Sequence, residues 1–258
     1  MEAVVQDLSQ RLVEKLQVYD TDHRYLVGLC GIPGSGKSVL AHAVVKTINS
    51  LHRQRDPSSP DIAIVVGMDG WHLTRAQLEA MPDPQLAKDR RGAEWTFDAQ
   101  GFADFVESLR TPISETAKAV AGADEDVTLW APSFSHSVKD PVEHDIPVPP
   151  TARLVLIEGL YANLNSSNED DQDKGNSHWS RASRTYNERW LIQVDRDLAR
   201  KRLIVRHVQT GVAADEKEAA WRADENDLPN GDFLLRHLQE PVLRIDSVAD
   251  ENWITRMQ

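Results

Sequence analysis

Gly31-Ile32-Pro33-Gly34-Ser35-Gly36-Lys37-Ser38 satisfies every fixed position of the pattern G-x-x-x-x-G-K-[ST], and the residues on either side of it decide the fold. Upstream, Tyr25-Leu26-Val27-Gly28-Leu29-Cys30 is an apolar, strand-like run. Downstream, Leu40, Ala43, Val44, Ile48 and Leu51 recur as the buried stripe of a helix, so the loop stands at a helix N-terminus. Glycines let the backbone wind tightly enough to aim successive N–H groups at phosphate oxygens. The free amides of the helix start add positive potential at the same place. Lys37 then reaches the β- and γ-phosphates, and the Ser38 hydroxyl ligates Mg²⁺. Gly31, Ile32, Pro33, Gly34, Ser35, Gly36, Lys37, Ser38 and Val39 are therefore read as the ATP-binding segment.

Working outward, further apolar runs alternate with helical patterns: Ile62 to Val66, Leu154 to Ile157 and Trp190 to Val194. Such alternation predicts an α/β fold, a mostly parallel sheet with crossover helices. Each run is followed by polar residues at its C-terminal end, the edge where open α/β sheets bind ligands. The N-terminal stretch 1–20 reads as an amphipathic packing helix, with Val4, Leu8, Leu12 and Leu16 along one face. Two segments break the alternation. Between 112 and 150, prolines and the β-formers around Leu129 and Val148 predict a small β excursion that could wall a second substrate's pocket. From 165 to 187 the composition turns to Asn, Ser, Asp and Lys with little to bury, which predicts a mobile loop or disordered insertion.

Composition bounds the partners. The 258 residues carry 29 Lys plus Arg against 41 Asp plus Glu, a formal charge of -12. So acidic a surface disfavours nucleic acid. Cys30, the only cysteine, reads as a small buried hydrophobe. No run approaches the roughly 18 apolar residues of a membrane span, and the N-terminus is neither a secretion signal nor an Arg-rich transit peptide. The expectation is a single domain over 1–258 in the cytoplasm, with no membrane partner.

Two carboxylates stand where strand ends meet the phosphate loop. Asp69 follows the second run, where an acid can orient an acceptor hydroxyl and take its proton; the position serves equally as a helix N-cap. Glu158 ends the strand Leu154-Val155-Leu156-Ile157, where a second carboxylate commonly sits near Mg²⁺. Basic residues gather over 196–212, where Arg202 and Arg206 lie four apart on a helix face. Beside a phosphate loop they read as lid arginines that stabilise charge on the transferring group. A solvated helix face is the plainer alternative. The segments Lys88 to Asp98 and Phe134 to Asp140 mix cations and aromatics suited to a polar small molecule, and no His/Cys cluster has zinc-site spacing.

In this order the segments resemble the small-molecule kinases that include uridine kinase, phosphoribulokinase and bacterial pantothenate kinase. The strongest likeness is to the branch of nucleoside or fructose-transport-associated kinases that includes fungal ATP-dependent kinases. Met68-Asp69-Gly70-Trp71-His72-Leu73 is similar to that branch's M-D-G-F-H-L, and Arg90 to Asp98 to its R-R-G-A-P-x-T-F-D, with Glu94 in place of Pro. Phe134 to Val142 resembles F-x-H-x-x-K-D-P-V, and Asn226 to Gly231 resembles N-D-x-P-N-[AG]. The resemblance implies a P-loop NTPase fold, three-layer α/β/α, with a helical lid. It makes Asp69 the catalytic base, Ser38 and Glu158 the Mg²⁺ ligands, and Lys37, Arg202 and Arg206 the groups that hold and neutralise the phosphates. Arg91, His136 and Lys139 become acceptor-binding candidates, with Trp71 and Phe97 from the same motifs. A homo-oligomer stays open.

The expected reaction is Mg²⁺-dependent transfer of phosphate from ATP to a hydroxyl of a small metabolite, a nucleoside first and a sugar or pantothenate-type acceptor as alternatives. A P-loop ATPase or switch without an acceptor is the competing class. It lacks the guanine-reading N-K-x-D element, and Glu158 replaces its usual strand-end Asp.

Overall fold

Side chains alternate along the strands and so sort onto two faces. In β1 (Tyr25–Cys30) Tyr25, Val27 and Leu29 join one apolar cluster while Leu26 and Cys30 join the other. β5 (Leu154–Glu158) divides in the same way, Leu154 and Leu156 against Val155 and Ile157. A strand buried on both faces needs a layer on each side. The structure, a computed structural model, describes residues 1–115, 128–135, 138–165 and 174–247. Its five-stranded sheet has the order β2-β5-β1-β6-β7 and is parallel throughout, with β2 at Ala63–Gly67, β6 at Glu188–Gln193 and β7 at Leu243–Asp246.

One face is covered by α1 (Glu2–Val18) and α2 (Lys37–Arg55), which bury Leu8, Leu12, Leu40, Val44 and Ile48. The other is covered by α5 (Ala99–Ser108) and α6 (Lys174–Thr185), which bury Phe102, Val106, Trp179 and Ala182. The result is the three-layer α/β/α sandwich expected from the strand and helix pattern. Between β2 and α5 the chain passes through a 3₁₀ turn at Met68–Trp71, two short helices, α3 (Arg75–Glu79) and α4 (Pro84–Asp89), and a second 3₁₀ turn at Glu94–Thr96. β3 (Leu129–Ser135) and β4 (Asp140–Val148) form a separate antiparallel hairpin, with an irregularity between Ala131 and Ser133. After β6 come α7 (Arg196–Gln209), α8 (Glu216–Arg222), a π turn at Ala223–Asp227 and α9 (Leu228–Arg236). Among the described residues no helix is long and apolar enough to cross a membrane.

The segment 165–187 departs from the loop that its composition predicts. Its described second half is the helix α6, and Trp179, Ala182 and Ser183 are buried, with Tyr186 just beyond. The physical reason is spacing: residues 179, 182, 183 and 186 recur on one helical face, so a polar stretch still carries an apolar stripe. Trp179 lies 5.4 Å from the ring of Phe102 and 5.9 Å from that of Phe97. Burying so large an aromatic side chain stabilises the layer by about 1.5–3 kcal/mol.

Candidate active site

The strand register brings Leu29, Glu158 and Gly67 side by side at the C-terminal edge of the sheet. Beyond each the chain leaves the sheet, into the phosphate loop after β1 and into the Asp69 turn after β2. The Gly159 amide donates back to the Leu29 carbonyl at 3.1 Å, which holds the β5 end against the loop. Gly36 caps α2 at φ 93°, and Gly34 has φ 81°. A Cβ at Gly34 would stand 2.7 Å from the Ala199 carbonyl oxygen of α7, so only glycine lets that helix rest on the loop. α2 opens with no side-chain cap and no acid in its first turn, an arrangement that suits its first amides to binding an anion.

Glu158 is partly exposed, and its Oε2 is enclosed with no hydrogen-bond partner. Burial pushes its carboxyl above the ordinary carboxylate range; the Lys37 ammonium opposes that rise, the Asp69 carboxylate adds to it, and a hydrogen bond with Ser38 opposes it. Lys37, Ser38 and Asp69, all named from sequence, thus lie close enough to act on the Glu158 carboxyl. Asp69 is exposed and makes no side-chain cap, so the N-cap alternative is not realised. Its carbonyl instead accepts from the His72 backbone amide at 3.2 Å and pairs with His72 Nδ1 at 2.8 Å. A hydroxyl and an orphaned carboxylate oxygen beside a phosphate loop fit a hard divalent cation such as Mg²⁺. Among the described residues no group of three or more His, Cys, Asp or Glu could hold a metal, so such a cation would complete its shell with phosphate oxygens and water.

The basic cluster divides in two. Arg202 donates from Nη1 to the Gly34 carbonyl at 3.2 Å and to Ser247 Oγ at 3.0 Å, which ties α7 to the loop and to the residue after β7. Arg196 and Arg200 pair outward with Asp232 at 2.8 Å and Asp224 at 2.7 Å. Arg206, one turn beyond Arg202, is exposed.

Of the acceptor-side candidates, Arg91 is the most constrained. It donates to the Lys139 carbonyl at 2.6 Å and the Leu73 carbonyl at 2.9 Å, pairs with Asp140 at 3.3 Å, and lies 5.3 Å over the Phe134 ring. Burial lowers its pKa, against the pull of Asp140. Lys139 is exposed and takes φ 61°. Phe97 is buried and stacks on His72 at 4.0 Å, and His72 meets Phe134 at 4.8 Å. Trp71 points into the core against Phe102 and Phe105 at 5.2 and 5.0 Å, which makes it a packing residue. His136 lies outside the described residues.

The structure adds residues to which sequence reading gave no role. His72 sits three residues after Asp69 in a motif already noted, and its ring bridges Phe97 and Phe134. Tyr161 Oη donates to the Gly92 carbonyl at 3.0 Å. Asn226 and Asn230, from the late N-D-x-P-N motif, bind the Arg90–Gly92 turn.

No protein-family model matches the chain. It is 39% identical over 186 residues, 72% of this chain and 95% of the other, to the "ATP-dependent kinase-like protein notR'" of Aspergillus versicolor. It is 34% identical over 235 residues, 91% of this chain and 87% of the other, to the "Putative uridine kinase C227.14" of Schizosaccharomyces pombe. The crystal structure of YFH7 from Saccharomyces cerevisiae, 21% identical, superposes with a TM-score of 0.74 over 95% of this chain and 98% of that one, a likeness of fold. With a phosphate loop, an Asp69 turn and a Glu158 strand end meeting at one sheet edge, the chain belongs to the family of ATP-dependent P-loop kinases that includes these two relatives.

Proposed function

We propose that this kinase transfers the γ-phosphoryl group of ATP to a hydroxyl of a nucleoside. The observation that carries the reading is the meeting of the phosphate loop, the Asp69 turn and the Glu158 strand end at a single sheet edge. Lys37 and the amides of Gly34 to Ser38 would hold the β- and γ-phosphates. Ser38 and Glu158 would hold Mg²⁺, which when bound supplies charge neutralisation across the phosphate oxygens. Asp69, exposed at the site, orients the acceptor hydroxyl and takes its proton as the new O–P bond forms and the bond to ADP breaks. Arg202, already at the loop, supplies positive charge for the transferring group, and Arg206 is the second lid candidate.

The acceptor would lie beside the joined Asp69 turn and β3–β4 hairpin, along the His72–Phe134 stack, with Arg91 and Lys139 at its rim. Aromatic edges favour a flat base, and the name of the Schizosaccharomyces pombe relative supports a nucleoside. The test is a panel of nucleosides, sugars and pantothenate with purified protein, ATP and Mg²⁺, read by product mass. A nucleoside monophosphate supports the reading. A product from sugar or pantothenate alone corrects the acceptor class, and ADP release indifferent to every acceptor overturns it.

A further inference from the structure

The π turn at Ala223–Asp227 stands between three parts of the site. Toward the acceptor side, Asn226 Nδ2 donates to the Arg91 carbonyl at 3.0 Å, and Asn230 Nδ2 supports the Asn226 amide oxygen at 3.3 Å. Arg90 donates to the Glu225 carbonyl at 2.9 Å and to Asn230 Oδ1 at 3.2 Å. The two amides close over Gly92, which has φ 106° and whose missing Cβ would lie 3.7 Å from Asn230 Nδ2 and 3.9 Å from Asn226 Nδ2. Toward the lid helix, Asp227, the very next residue, pairs with His207 of α7 at 2.8 Å, and Asp224 pairs with Arg200 of the same helix. Toward the nucleotide, Gly231 packs on Ile32 of the phosphate loop, 2.9 Å from its Cβ to where a glycine Cβ would stand.

Asn226 and Asn230 are each about 5% exposed or less, so these hydrogen bonds are made out of competition with water. π turns are rare and tend to occur at functional sites. Here the turn lets neighbouring residues hold different elements. α7 also touches the loop through Arg202 and Gly34, and Arg91 holds the hairpin and Leu73. A path of direct contacts therefore runs from the phosphate loop through α7, Asp227 and Asn226 to the Arg90–Gly92 turn.

The geometry points to Asn226 as a positioning residue that sets the acceptor-side turn according to the state of the nucleotide site. This inference rests on the reading of the Arg90–Thr96 segment as acceptor-side. Filling the loop settles α7, and Asp227 and Asn226 pass that settling to the Arg91 backbone, so the turn is ordered for acceptor only when nucleotide is in place. The His207–Asp227 pair is the lid-side link and the Asn226–Arg91 bond the acceptor-side link.

Hydrogen exchange on the full chain with and without Mg·AMP-PNP tests this before any acceptor is known. In the wild type, nucleotide should slow amide exchange over 199–207 and over 90–96, the latter by about fivefold or more, the lower end of ordinary site-to-site coupling. Asn226→Ala should bind Mg·AMP-PNP more weakly by about that same factor, since the coupling is reciprocal, and keep the protection of 199–207, while the nucleotide-dependent protection of 90–96 disappears. Should Asn226→Ala not fold, Asp227→Ala removes the partner of His207, cuts the path from the lid side and should likewise remove the response over 90–96. A variant whose 90–96 amides exchange faster by the same factor with and without nucleotide has lost support only, and that result overturns the inference. So does a wild type that binds nucleotide with no change over 90–96. A wild type that does not bind Mg·AMP-PNP would instead overturn the nucleotide assignment itself.

Discussion

Gly70 lies flat against the backbone of Pro132: a Cβ on residue 70 would stand 2.2 Å from the Pro132 carbonyl oxygen and 2.6 Å from its carbon. The turn that carries Asp69 and the hairpin proposed to border the acceptor are thus in backbone contact, closer than any other residue type allows. The same contact places Phe134 within reach of His72.

Gly70→Ala should push the hairpin away from the Asp69 turn, because neither backbone can yield as a flexible side chain could. The expected cost is about 1–3 kcal/mol of stability, as for overpacking elsewhere, with turnover falling and nucleotide affinity holding. Thermal melts, calorimetric titration with Mg·AMP-PNP and steady-state rates would separate the three. Unchanged turnover would mean that the hairpin does not border the acceptor.

Asp69→Asn keeps the volume of the side chain and removes the proposed base. ATP binding should persist while phosphoryl transfer falls by about 10²–10⁴-fold, the usual contribution of a positioned general base. A variant that turns over acceptor at the wild-type rate would remove Asp69 from that role.

Glu158→Gln should make the nucleotide-free protein more stable and a poorer kinase. Burial raises the folded-state pKa of Glu158 above its ordinary 4.5, so the folded chain holds a proton there that the unfolded chain releases. The stability this provides is present at acid pH and is lost as pH rises from about 4.5 through the raised value. At about pH 8 the variant escapes that loss, and each kcal/mol regained raises the melting midpoint by about 2–4 °C at this chain length. Melts at the two pH extremes check the sign: a variant less stable than wild type at high pH would show that the Lys37 attraction outweighs burial.

Trp179→Ala removes a buried indole from the α5–α6 layer, and such truncations cost about 3–5 kcal/mol. A chemical denaturation curve shifted by much less would mean that α6 is a dispensable appendage after all.

The phosphate loop and its flanks were legible because the motif is local: eight consecutive residues state the turn, the cation and the hydroxyl. The positions of Glu158 and Asp69 at the sheet edge were legible because each follows an apolar run. β7 was not, since Leu243-Arg244-Ile245-Asp246 buries only Ile245 and carries no signal apart from its pairing with β6. α6 hid behind Asn and Ser, although the interval from Trp179 to Tyr186 held the helical period. Trp71 resembled a binding aromatic by its motif and proved to be core, because a four-residue turn sends successive side chains to different sides. The roles of Asn226 and Asn230 could not be read at all, since their partners lie about 135 residues earlier in the chain.

Glu158 stands beside Leu29 only once β5 has inserted between β1 and β2. A growing chain that has completed the loop and α2 would therefore own every residue of the nucleotide motif and still lack the carboxylate, which comes 120 residues after Ser38. With Glu158 holding Mg²⁺ as proposed, ligand would reward only the finished sheet. For a cell, nucleotide would act as a late inspector of folding, one that stabilises no half-made copy of this kinase.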